Sequence, residues 1–142
     1  MAQYAEGTKV PAKKTRDEIE TLLEKYGADA FLYGMDRGAV TIGFRIAGRH
    51  VRIALPLADE QDFRGKAKGA FQQDVNERWR ALLLTVKAKL VAVDRGISTI
   101  EREFLVDIIM PNNRTVGELL QPQLEAAYQS GKMPPLLTGP TS

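Results

Sequence analysis

The stretch Val40-Thr41-Ile42-Gly43-Phe44-Arg45-Ile46-Ala47-Gly48-Arg49-His50-Val51-Arg52-Ile53-Ala54-Leu55-Pro56 decides the fold. Val40, Ile42, Phe44 and Ile46 alternate with Thr41, Gly43, Arg45 and Ala47, and Val51, Ile53 and Leu55 alternate with Arg52 and Ala54. Successive side chains of a strand point to opposite faces, so this alternation marks antiparallel strands with one buried face. Gly48-Arg49 reads as a Gly-X two-residue hairpin turn. That turn sets Ile46 opposite Val51, Phe44 opposite Ile53 and Ile42 opposite Leu55, all on one face. It also sets Arg45 directly opposite Arg52 on the other face. Pro56 has no N–H with which to carry the ladder further.

Helices flank the hairpin. Upstream, Thr15-Arg16-Asp17-Glu18 has the form of a capping box, and Ile19, Leu22, Leu23 and Tyr26 follow at helical spacing until Gly27. A short apolar run from Ala30 to Met35 supplies one more strand. Downstream, residues 57–70 form a loop around Arg64-Gly65-Lys66-Ala67-Lys68-Gly69. A long helix is expected over 73–95, with Val75, Trp79, Leu82, Leu83, Val86, Leu90 and Val93 as its core stripe. Ser98 to Glu101 and Thr115 to Glu118 open two further helices, the first carrying Ile100, Phe104, Leu105 and Ile108, the second interrupted by Pro122. The order is αβββααα, an α+β fold in which helices cover one face of a small antiparallel sheet. Residues 1–14 read as a flexible basic arm, 15–137 as a single domain and 138–142 as a tail.

The 142 residues contain no cysteine and one histidine, which excludes disulfides, Cys-based zinc sites and thiol catalysis and leaves little for a His-based triad. No apolar run approaches the ~18–20 residues of a membrane span, so a cytoplasmic protein is expected. There is no GxxxxGK[ST] or GxGxxG motif. Glu101, Glu103 and Asp107 lie on helix positions that do not by themselves converge on a metal. His50 has no acid or hydroxyl at a catalytic spacing. The reading is a non-enzyme with no cofactor and no metal site.

Charge is unevenly placed. Lys9, Lys13, Lys14 and Arg16 face only Glu6 in the first sixteen residues, and residues 44–95 hold eleven bases against six acids. Two arginines opposed across a hairpin repel, which an anion placed between them relieves. Arg45, Arg49 and Arg52, with Lys66 and Lys68 on the following loop, therefore form the candidate nucleic-acid-binding surface, with DNA backbone as the expected partner. The competing reading has an acidic side chain from a helix or a neighbouring subunit neutralising the Arg45 and Arg52 pair. On the long helix, Leu84, Ala88 and Val91 make a second apolar ridge, either sandwiched by the following helices or used for self-association. The apolar tail Met133-Pro134-Pro135-Leu136-Leu137 is a further candidate for that contact.

Arg78-Trp79-Arg80-Ala81-Leu82-Leu83-Leu84, Gly96-Ile97-Ser98-Thr99, Thr115-Val116-Gly117-Glu118 and Pro122-Gln123-Leu124-Glu125-Ala126-Ala127-Tyr128, with Arg49-His50-Val51-Arg52-Ile53-Ala54-Leu55-Pro56-Leu57 upstream, carry a resemblance. Over roughly 15–137 the chain resembles a family of short, mostly uncharacterised bacteriophage and prophage proteins. The resemblance implies a phage setting and the host cytoplasm, and brings no reaction or site. Two functions remain open: a backbone-driven nucleic-acid binder, and a protein-binding module that inhibits or adapts a host factor.

Overall fold

The computed structural model describes residues 11–36 and 38–133. Helix α1 spans Ala12–Lys25, strands β1, β2 and β3 span Ala30–Asp36, Ala39–Ile46 and Arg49–Pro56, and helices α2, α3 and α4 span Ala70–Asp94, Ile100–Phe104 and Val116–Ser130. Short 3₁₀ turns occupy Glu60–Phe63 and Leu105–Asp107. The order and the α+β class are those expected from the sequence. The boundary at residue 15 is corrected. The helix starts at Ala12 behind an extended Pro11, so Thr15 lies inside α1, buried, and caps nothing. Helix α2 likewise begins three residues before the expected start.

The three strands pair antiparallel in the order β1-β2-β3. The hairpin register differs from expectation by two residues. Ile46 pairs with Arg49, Phe44 with Val51, Ile42 with Ile53 and Val40 with Leu55. The turn is Ala47-Gly48, with φ of 50° and 73°. Two positive φ values in a two-residue loop match the twist of the strands they join. Because a shift of two preserves side-chain parity, Val40, Ile42, Phe44, Ile46 and Val51 are still buried together.

The core lies between this face and the helices. Helix α2 contributes Val75, Trp79, Leu82, Leu83, Val86 and Leu90, and α1 contributes Ile19 and Leu23. The two helices advance side by side: the Ala12 N–H donates to Asn76 Oδ1 (3.1 Å), and Arg80 pairs with Glu18 (3.2 Å). Arg78 donates to the Pro56 carbonyl (3.0 Å), which fixes the start of α2 beside the end of β3. At the other end Phe104 packs edge-on against Phe44, at 5.5 Å between ring centres. The expected helix through Ile108 stops at Phe104, and the chain then turns to extend the sheet. Val51 bridges Ile108, and the Ile109 N–H donates to the His50 carbonyl (2.8 Å). Leu105 is consequently exposed, whereas Ile108 is buried.

Candidate nucleic-acid interface

The register decides what the hairpin arginines do. Arg45 faces His50, and Arg52 faces Gly43, so the two arginines are diagonal neighbours and not an opposed pair. Arg49 pairs with Ile46, which places it on the helix-covered face, away from Arg45 and Arg52. Each of the three meets a carboxylate. Arg45 Nε donates to Asp29 Oδ1 at 2.7 Å, Arg49 reaches Glu101 at 3.2 Å, and Arg52 reaches Glu118 at 3.2 Å and the Asn113 carbonyl at 3.0 Å. The Arg45 hydrogen bond holds the Asp29 carboxyl below its usual range. The Glu118 carboxyl is lowered chiefly by the Thr115 N–H of its capping box, with Arg52 a smaller contributor. The competing reading holds in part: Glu118 on α4 and Glu101 on α3 are helix carboxylates, but Asp29, which takes Arg45, lies in the segment between α1 and β1.

The loop cations lie elsewhere. Strand β3 runs from Arg49 to Pro56, and at a rise of ~3.3 Å per residue its ends are about 23 Å apart. The loop leaves from the Pro56 end, where the Leu57 N–H donates to the Gly38 carbonyl (2.8 Å). Lys66 and Lys68 therefore sit at the opposite end of the sheet from Arg49, and the five expected cations do not share one groove.

Arg64, Lys66 and Lys68 instead surround a cleft of about 640 Å³ floored by Phe71 and Gln72 at the start of α2. Among the described residues none of the three makes an ion pair; Lys66 lies over the Phe63 ring at 5.6 Å. Glu60 also lines this cleft. Arg64 joins the two lysines at this site although the sequence reading places only Lys66 and Lys68 there; its signal is its position two residues before Lys66.

A second pocket adjoins the first and shares Phe71 and Gln72 with it. It has a volume of about 400 Å³, and Tyr33, Met35, Phe71 and Trp79 supply much of its wall. Tyr33 and Trp79 approach to 5.8 Å between ring centres, and the Arg16 guanidinium lies 4.3 Å from the centre of the Tyr33 ring. Lys13 stands at the same pocket. No local motif announces this arrangement. It needs the parity of β1, which puts Tyr33 opposite Ile42 and hence on the helix side.

The second apolar ridge is not sandwiched. Leu84 is half-buried, and Ala88 and Val91 are exposed beside Thr85 and Lys89 on the outer side of α2. A larger apolar surface belongs to α4. Val106, Leu124, Tyr128 and Met133 are all more than half exposed around a groove of about 540 Å³ over Gly117 and Leu120. Apart from Met133, the apolar tail lies outside the described residues. Among the described residues, no three His, Cys, Asp or Glu side chains assemble as a metal-binding group, and no helix is long and apolar enough to cross a membrane. No family model, no curated protein and no solved structure matches the chain.

Proposed function

We propose that this chain is a non-enzymatic accessory protein that binds nucleic-acid backbone, with DNA as the first partner to test. The contact surface is the cleft of Arg64, Lys66 and Lys68, not the hairpin. One observation carries this reading: the cleft cations have no carboxylate partner among the described residues, whereas each hairpin arginine has one. A phosphate approaching the hairpin must displace a carboxylate, and one approaching the cleft displaces only water and loosely held counterions.

The test is fluorescence anisotropy with labelled DNA at low and moderate salt. If three phosphates are neutralised, log K falls with log salt at a slope of about −2.7 for duplex and about −2.1 for single-stranded DNA. Neutralising Arg64, Lys66 and Lys68 together removes the affinity, and replacing Arg45 and Arg52 with Ala leaves most of it. The opposite pattern returns the site to the hairpin. A parent protein without DNA affinity at low salt overturns the reading.

The α4 groove favours a second reading, a protein-binding module aimed at a host factor. Exposed apolar side chains gathered around one groove, here Leu124 and Tyr128 of α4 with Val106 and Met133, are the usual mark of a protein contact. On this reading Leu124→Asp abolishes complex formation with that factor and leaves any DNA binding unchanged.

A further inference from the structure

The cationic cleft and the aromatic pocket share Phe71 and Gln72 and so form two compartments of one concave surface. We propose that this surface binds single-stranded nucleic acid, one unstacked base entering the aromatic pocket while the flanking phosphates lie along Arg64, Lys66 and Lys68. The inference rests on the backbone-binding reading above and adds to it the form of the strand and the contact with a base.

The pocket has the chemistry a base requires. Tyr33 and Phe71 offer aromatic surface, the buried Trp79 backs the Tyr33 ring, Met35 adds a polarisable wall, and Lys13 and Arg16 line the same pocket. Its volume of about 400 Å³ lies within the ~300–1,000 Å³ of small-ligand sites. It is also open, since Met35 is 66% and Tyr33 37% exposed on β1, the edge strand of the sheet among the described residues. A base inside a duplex is stacked and paired and cannot enter, whereas a base of a single strand can.

Arg16 supplies the coupling between the two compartments. Its guanidinium lies over Tyr33 with no ion pair among the described residues, so its partner there is the ring. A phosphate is a stronger partner for guanidinium than an exposed ring. The entering base takes the Tyr33 surface, and Arg16 turns with Lys13 to the adjoining phosphate. No ion pair is broken in the exchange. An apolar peptide in this pocket leaves the cations unused, and a polyanion without rings leaves the pocket empty. A nucleotide unit uses both, because its base and phosphate are joined through one sugar.

Trp79 is the only tryptophan and lines the pocket, so its fluorescence reports occupancy. A short single-stranded oligonucleotide, the duplex of the same sequence, the free mononucleotide and an apolar peptide are titrated at low salt. The expected result is quenching by the single strand at concentrations where the mononucleotide and the duplex give little. Tyr33→Ala weakens single-strand binding about ten-fold or more, while Tyr33→Phe, which keeps the ring, binds as the parent does. Met35→Glu, at an exposed position, provides a second variant that does not depend on core packing and also weakens the single strand. Neutralising the cleft cations weakens strand and duplex alike.

If strand and duplex bind equally, with no quenching and no effect of Tyr33→Ala or Met35→Glu, the base pocket is refuted and backbone binding survives. If neither binds, both readings fall. A mononucleotide that quenches as well as the strand makes this a free-nucleotide site, and quenching by the peptide alone makes it a protein contact; either overturns the proposal.

Discussion

Ala47 and Gly48 both hold left-handed backbone in the hairpin turn, and only the glycine does so without steric penalty. Ala47→Asn is therefore expected to stabilise the protein by about 0.5–1 kcal/mol in denaturant unfolding, because Asn tolerates that conformation and Asn-Gly favours this turn. Trp79, at 2% exposure, anchors the α2 stripe, and Trp79→Ala should cost about 3–5 kcal/mol. Asp107 behaves differently from the paired carboxylates. Burial pushes its pKa up, and Lys89 only partly opposes this. The folded state thus holds that proton more tightly than the unfolded chain does, and this residue's contribution falls as pH rises through its raised pKa. Asp107→Asn should raise stability at neutral pH and remove that part of the pH dependence. Glu118 and Asp29, both lowered, have the opposite sign: their contribution is present above the usual carboxylate range and disappears as acid titrates them. Capping was legible where the local contact survives alongside a distant partner, as at Glu118, which accepts from both Thr115 and Arg52. Thr115 and Glu118 form their box as read, but Glu18 goes to Arg80 and the Ala12 N–H finds Asn76, partners sixty residues and more away.

At the scale of elements, the strands and the buried face were readable because burial imposes parity. The register was not, since a shift of two residues keeps every side chain on its face. The Ala47-Gly48 turn sets it locally, and contacts outside the hairpin accompany it: the bridge from Val51 to Ile108, and Asp29 and Glu118 pairing with Arg45 and Arg52. A double-mutant cycle on Arg52 and Glu118 should return a small favourable coupling, as exposed pairs do, and a value of zero would mean that the pair does not help fix the register. Helix α4 meets the 3₁₀ turn through Gly117. A Cβ built there stands 2.9 Å from the Val106 carbonyl oxygen, a backbone atom that cannot swing aside. Gly117→Ala should destabilise by about 1–3 kcal/mol, detectable as a lower unfolding midpoint.

For the molecule as a whole, the sequence displayed the cations but not their company. Which of them face carboxylates depends on contacts from Arg45 to Asp29 and from Arg52 to Glu118 that no spacing rule contains. The aromatic pocket was hidden for the same reason, because Arg16, Tyr33 and Trp79 come from three different elements. The uncovered ridge of Leu84, Ala88 and Val91 leads us to expect self-association, read as a mass above the monomer in light scattering at tens of micromolar and reversed by Val91→Lys. Helix α4 has a further consequence. Val116 is its one buried residue, and its interior contains Pro122, which removes a helix hydrogen bond. The free energy needed to open the helix locally is therefore far below that of global unfolding. Amide hydrogens from Leu124 to Ser130 should exchange with solvent deuterium while those from Leu82 to Leu90 stay protected. Such exchange would mean that the last turns of α4 melt and re-form while the sheet and α2 remain intact, as a separate cooperative unit.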